Sequence, residues 1–228
     1  MRKKRLLVVE THSDDSAIGA YGLIRRKIAS GYDAFFVVVA VSDTEFVHCG
    51  VVSAEQRMCE YESYVSHIGG TWLRGELPID AECRLDTLPK RRLVGSIERV
   101  IADVQPDMLV CQAPSFHHDH ALTYEATIAA LRPTVKTCPD EILLMENPTY
   151  VHSLGPSTDF RPSTYCAMSA EEMAAKIDCF QRCFPTQIRD RENCLSPEGI
   201  QAWARYRALE CRAPEYAEAF MTYMRRLA

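Results

Sequence analysis

The sequence predicts an α/β protein built on a doubly wound, mostly parallel sheet with helices on both faces. Two features carry that reading: short, uninterrupted apolar runs, and amphipathic helical stretches between them. Leu6 to Val9, Ala34 to Ala40 (AFFVVVA), Met108 to Cys111 and Ile142 to Met145 are runs of the length and β-branched content that strands buried on both faces need. The clearest helix places Leu93, Val94, Ile97, Val100, Ile101 and Val104 on one face, with Asp86 or Thr87 as cap and Pro89 in the first turn. Strand and helix in alternation imply right-handed crossovers, which is the Rossmann-like winding.

The C-terminal part differs in character. HSLGPSTDFRPSTY, residues 152–165, has the Gly, Pro and Ser content of an irregular segment. SAEEMAAKIDCFQRCF then opens on a Ser-x-x-Glu capping box and SPEGIQAWARYRALECR on Ser-Pro-Glu, so both read as peripheral helices. Residues 1–228 are therefore read as one domain, with 152–228 an irregular loop followed by peripheral helices. Because the loop follows the strand Ile142 to Met145, it is expected to form part of a substrate wall.

Composition narrows the function. The chain has 228 residues, 47% of them hydrophobic and 25% charged, enough for one large core. A net charge of -5, with the only basic cluster a short MRKKR, argues against a nucleic-acid partner. The apolar run after MRKKR stops at Glu10, shorter than the ~7 to 15 residues of a signal peptide. No run approaches the ~18 residues of a membrane span, so a cytoplasmic protein without membrane contact is expected. The ten cysteines are scattered from Cys49 to Cys211 without a CxxC pair, although Cys179 and Cys183 have helical spacing. They read as reduced, buried small hydrophobes rather than metal ligands. His48, His67 and His152 read as structural or exposed.

Chemistry concentrates at two strand ends. THSDDSAIG follows the first apolar run directly, and its adjacent Asp14 and Asp15 resist desolvation unless something needs their charge. The Met108 to Cys111 run leads into QAPSFHHDH, which holds His117, His118, Asp119 and His120. Open α/β sheets bind ligands beyond the carboxyl ends of their strands. His12 and Asp15 are three apart, as are His117 and His120, so each pair can face one side of a turn. Two imidazoles and one carboxylate make an open zinc site, and the other aspartate would be free to act as a base. The bland alternative is that Asp14 or Asp15 merely caps a helix beginning at Ser16.

THSDDSAIGAYG is similar to the His-Pro/Ser/Thr-Asp-Asp motif, with its trailing glycines, of the PIG-L/LmbE family of zinc-dependent N-deacetylases, and HHDH matches that family's His-x-Asp-His motif. RMCE at Arg57 to Glu60, the spacing from Lys176 to Gln187, and YAEAF at Tyr216 to Phe220 extend the resemblance along the chain. It implies an LmbE-like fold in which His12, Asp15 and His120 bind zinc, with iron or cobalt as alternatives, and Asp14 is the general base for the activated water. His117 would stabilise the oxyanion or protonate the departing nitrogen, oriented by Asp119, while Arg57 and Asp43 would contact substrate. Two departures stand out: Ser16 replaces an acidic residue that often follows the aspartates, and Ser42, Asp43 and Thr44 replace Thr-Asp-Gly. The resemblance implies removal of an N-acetyl group from an amino-sugar-containing small molecule or glycoside, and a larger amide conjugate is the alternative. A non-catalytic nucleotide- or sugar-binding domain is a third reading, disfavoured because Gly19 and Gly22 do not complete G-x-G-x-x-G after the first strand.

Overall fold

The computed structural model describes residues 2–134, 136–150 and 160–227. In chain order these residues form β1 (Arg5–Glu10), α1 (Asp15–Gly19), α2 (Tyr21–Ala29), β2 (Asp33–Val38), the hairpin strands β3 (Thr44–Phe46) and β4 (Gly50–Val52), α3 (Ala54–Ile68), β5 (Thr71–Trp72) and α4 (Lys90–Val104). They continue with β6 (Met108–Gln112), α5 (His118–Ala130), β7 (Glu141–Met145), β8 (Thr164–Met168), α6 (Ala170–Cys183), α7 (Pro197–Cys211) and β9 (Tyr216–Arg225). All four apolar runs are strands of one seven-stranded sheet, ordered β5-β2-β1-β6-β7-β9-β8. The first five in that order run parallel, and β9 is antiparallel to both neighbours.

Alternation along β1 divides the interior. Leu6 and Val8 pack with residues of α1, α2, α3 and α6, whereas Leu7 and Val9 pack with those of α4 and α5. A strand buried on both faces has no polar side to spare, which is why the runs are continuous. The winding reverses between β1 and β6: β2 lies outward of one and β7 outward of the other. Their carboxyl ends flank the switch-point crevice, where an open α/β sheet binds its ligand.

The motif glycines are packing devices. A Cβ at Gly19 would lie 2.2 Å from the Glu146 carbonyl oxygen, and one at Gly22 would lie 2.5 Å from the Met168 sulfur. α1 and α2 thus sit closer to β7 and β8 than any larger residue permits. Behind them, Glu218 of β9 accepts the Gly22 and Leu23 amides at 2.9 and 3.0 Å. Lys176 of α6 donates to Glu218 at 2.9 Å and to the Ile18 carbonyl at 2.5 Å. The lysine and glutamate singled out in the sequence therefore anchor the first two helices.

Several expectations need revision. α4 starts at Lys90 with Pro89 at its cap and no side-chain cap bond, because Pro89 holds Leu88 extended; Asp86 and Thr87 lie in a separate 3-10 turn. The segment 152–228 contains two strands as well as helices. β9, YAEAFMTYMR, mixes strand-favouring Tyr216, Phe220, Thr222 and Tyr223 with Ala, Glu and Met, and lies in the sheet between β7 and β8. Of the expected wall loop, residues 152–159, with His152, lie outside the described residues, and Thr164 and Tyr165 belong to β8. Only four of the ten cysteines, Cys111, Cys166, Cys179 and Cys183, are buried. His48 and His67 are exposed, as expected. The capping box at Ser169 and Glu172 forms in full. No helix among the described residues is long and apolar enough to cross a membrane.

Candidate metal centre

β1 ends at Glu10 and the chain turns through Thr11, His12 and Ser13 into α1; β6 ends at Gln112 and leads through Pro114 and Ser115 into α5. The two turns bring the clusters together at the crevice. His120 Nε2 lies 3.2 Å from His12 Nδ1 and 3.5 Å from Asp15 Oδ1, and His12 Nδ1 lies 4.0 Å from Asp15 Oδ2. Zinc with ligands at ~2.0 to 2.1 Å in tetrahedral geometry separates them by about 3.4 Å, so the two spacings from His120 fit one ion, while that between His12 and Asp15, taken to the other carboxylate oxygen, is longer. The nitrogens of His12, His117 and His120 also lie within 4.8 Å of one another, so His117 borders the same space.

Each of the three residues is oriented from behind. Asp15 accepts the Thr11 and His12 amides at 3.1 and 2.8 Å, and Asn147 donates to its Oδ1 at 2.9 Å. His12 Nε2 faces Asp119 Oδ2 at 3.4 Å. A carboxylate can only accept, so that nitrogen carries the proton and Nδ1 presents a lone pair. His120 Nδ1 faces Ser115 Oγ at 2.7 Å; with its proton on that side, Nε2 likewise turns a lone pair inward. Two imidazole nitrogens and a carboxylate thus converge in one buried space, a donor set that a divalent cation suits.

The electrostatics agree. Burial acts to lower the pKa of His12, but Asp119, Asp15, Glu82 and Asp14 outweigh it and the value is raised. Burial raises that of Asp15, against the pull of His12. Burial, reinforced by His12 and the other imidazoles, drives His120 well down. The surroundings thus favour positive charge at His12 itself, which a bound cation would replace, while the His120 ring stays neutral, as a metal ligand must be.

Asp14 stands apart from its neighbour. It occupies the cap position of α1 yet makes no side-chain cap bond, so the bland reading of the aspartate pair does not describe it. Asp119 differs from expectation. Its carboxylate meets His12, the Cys83 amide at 2.6 Å and the Leu85 amide at 3.2 Å, and only its backbone N–H reaches His117 Nδ1, at 3.2 Å. These contacts outweigh burial and lower its pKa. Arg57 is buried, and its Nη1 donates to Glu82, to Thr44 Oγ1 at 3.1 Å and to the Ser42 carbonyl at 3.4 Å. Asp43 is exposed and accepts the Ala54 amide at 2.8 Å.

The departures from the family pattern are accommodated locally. Ser42 Oγ donates to Asp80 at 2.7 Å and accepts the Glu82 amide at 3.0 Å, fixing the loop beneath the centre. Ser16 bonds Tyr64 through its hydroxyl at 2.9 Å, while its amide donates to Glu10 at 2.9 Å. The buried acid lost at position 16 is matched by one at the end of β1. Sequence reasoning missed Asn147, Ser115, Glu82, Cys83 and Tyr150, whose ring meets those of His117 and His120 edge-on at centroid distances of 5.2 and 5.1 Å. None sits in a motif.

Fold and site together define a protein of the open α/β class whose clustered imidazoles and carboxylates, at the topological switch point, suit a divalent metal. Residues 7–131 match the model of the family described as GlcNAc-PI de-N-acetylase (PIG-L), and the chain belongs to that family. Among solved structures it is similar to the zinc-inhibited form of the teicoplanin deacetylase Orf2, with 15% identity over 96% of this chain and 97% of that one and a TM-score of 0.74. It is also similar to the N,N'-diacetylchitobiose deacetylase of Pyrococcus horikoshii, with 19% identity, 96% and 84% coverage, and a TM-score of 0.72. GalB, the 4-carboxy-2-hydroxymuconate hydratase of Pseudomonas putida, has 18% identity, 99% and 98% coverage, and a TM-score of 0.72. A fold shared by deacetylases and a hydratase does not choose between their reactions. No curated protein sequence matches.

Proposed function

We infer that the protein is a metal-dependent N-deacetylase that hydrolyses the acetamide of an amino-sugar-containing small molecule. Family membership supports the reaction class. The observation that carries the reading is the division of labour between adjacent aspartates: Asp15 is held from three sides, and Asp14 makes no cap bond. A purely structural pair would not be split in this way.

His12, Asp15 and His120 would hold the ion, zinc by the chemistry of a mixed imidazole and carboxylate set. A bound divalent cation supplies Lewis acidity and makes water acidic enough to lose a proton near neutral pH. Asp14 takes that proton as the water attacks the acetamide carbon. His117 accepts the Asp119 amide at Nδ1, so its neutral ring carries hydrogen on Nε2. Burial and the neighbouring His12 push its pKa down to about 4, which keeps the ring neutral. His117 therefore donates a hydrogen bond to the developing oxyanion, and Asp14 returns the proton to the departing amine. Asp119 positions His12. Arg57 and Asp43 shape the substrate rim, Arg57 by bracing the Glu82 loop and Asp43 by tying the β3 approach to α3.

The test is to load the purified protein with zinc and offer a panel of N-acetylated amino sugars, with thiol-conjugate amides alongside, detecting free amine. Equimolar amine and acetate from an amino sugar is the expected result. Amine without acetate would indicate the larger-amide reading. Tight sugar binding without either product would overturn the enzymatic reading.

A further inference from the structure

We propose that Cys83, His117 and Asp119 form a second metal site beside the first, one that takes a thiophilic divalent cation and thereby withdraws His117 from the reaction. The inhibitory consequence rests on the function inferred above; the site itself does not.

The candidate ligand atoms of these three residues lie within 4.8 Å of one another. Cys83 Sγ is 3.7 Å from His117 Nε2. A tetrahedral zinc with Zn–S of ~2.3 Å and Zn–N of ~2.0 to 2.1 Å sets that edge at about 3.6 Å. The thiol is also held in place. Cys83 has a left-handed backbone, φ 59°, uncommon for a residue with a side chain, and its amide donates to Asp119 at 2.6 Å. On either side, Glu82 is gripped by Arg57 and Ser42, and Leu85 donates to Asp119 at 3.2 Å. This strained, braced turn aims a sulfur at the catalytic imidazole.

Three properties distinguish this site from the first. Cys83 is exposed, so an ion reaches it directly from solvent. Its sulfur is a soft ligand that the His12, Asp15 and His120 set lacks, so cadmium and excess zinc favour it over harder ions. It also shares His117 with the reaction space, so filling it costs the oxyanion its donor. Binding releases the thiol proton to solvent, and coordination through Nε2 moves the ring proton to Nδ1. That breaks the 3.2 Å bond from the Asp119 amide. Losing such a cap bond weakens binding by about tenfold or less, small against the gain from a thiolate ligand.

The experiment titrates protein already carrying one equivalent of zinc with cadmium chloride. We expect a second tight equivalent, an ultraviolet thiolate-to-cadmium band, and a fall in rate of about tenfold or more when the site is full. Cys83→Ser should abolish that band and weaken the second equivalent at least ~100-fold, beyond the loss from an outer-sphere change. His117→Ala should weaken it comparably, which a lone surface thiol would not do. Cys138→Ser, altering an exposed cysteine away from this turn, should leave the second equivalent in place. Absence of a second equivalent, its persistence in Cys83→Ser, or indifference to His117→Ala would each overturn the proposal. The binding and spectral arms stand if no substrate is turned over, so failure of the functional reading remains distinguishable.

Discussion

Asp119 and His12, 107 residues apart, meet at 3.4 Å through Oδ2 and Nε2. That contact joins the two strand ends and decides which nitrogen of His12 faces the metal. Asp119→Asn should lower the affinity of the first site ~10 to 100-fold without removing one of that site's ligands, whereas His120→Ala should empty it. Competition against a chromophoric chelator measures both, and an unchanged affinity in Asp119→Asn would refute the orienting role.

Asp14→Asn separates the base from the ligands. Metal content should stay at the wild-type level while kcat falls by ~10² to 10⁴. Asp15→Ala should instead lose the metal. Near-normal turnover by metal-loaded Asp14→Asn would exclude Asp14 as the base.

Arg57 and Glu82 form an ion pair with side chains only 2% and 7% exposed. Removing one partner strands the other charge, so Arg57→Met should destabilise the metal-free protein by ~3 to 5 kcal/mol. The double change with Glu82→Met should cost less than the single one. Urea denaturation gives both values; additive losses would show that the pair is not coupled.

Burial raises the pKa of Glu10 from 4.5 to about 8. Between those values the folded chain keeps a proton that the unfolded chain has released, so this group's contribution is full below pH 4.5 and lost as pH rises to about 8. Glu10→Gln removes the titration while its amide oxygen can still accept the Ser16 N–H. Metal-free Glu10→Gln should therefore lose less stability than wild type across that window. Comparing the two denaturation curves isolates Glu10, because His117 and His120, both lowered, act oppositely as the medium is acidified. Parallel curves would disprove the buried proton.

Much of this was legible in residue order. Continuous apolar runs must be buried on both faces, and polar clusters at their ends must lie in the crevice, so the sheet and the meeting of the two clusters follow from pattern alone; the choice of His120 as the partner of His12 came from the family resemblance. What pattern could not supply was direction. His117 and His12 compete for Asp119, and three-residue spacing does not say which imidazole its carboxylate meets. Asn147, Ser115 and Tyr150 contribute single side chains from connections whose composition resembles any loop. Cys83 was hidden by its own company: ten scattered cysteines argue for small core fillers, and only the turn at Glu82 reveals one aimed at an imidazole. β9 escaped because its Tyr, Phe and Thr are interleaved with Ala, Glu and Met, so no continuous apolar run marks it.

The anchoring of α1 and α2 by Lys176 and Glu218 has a consequence for biosynthesis. The helix that carries Asp15 is synthesised well before the two residues that clamp it, Lys176 and Glu218. A nascent chain holding both histidine motifs would have the ligands for metal but not the clamp that holds α1 and α2 in place. Ion capture in its final geometry should therefore be a late event, coupled to the arrival of the C-terminal strand, and stalled chains ending before Glu218 should exchange metal far more readily than released ones.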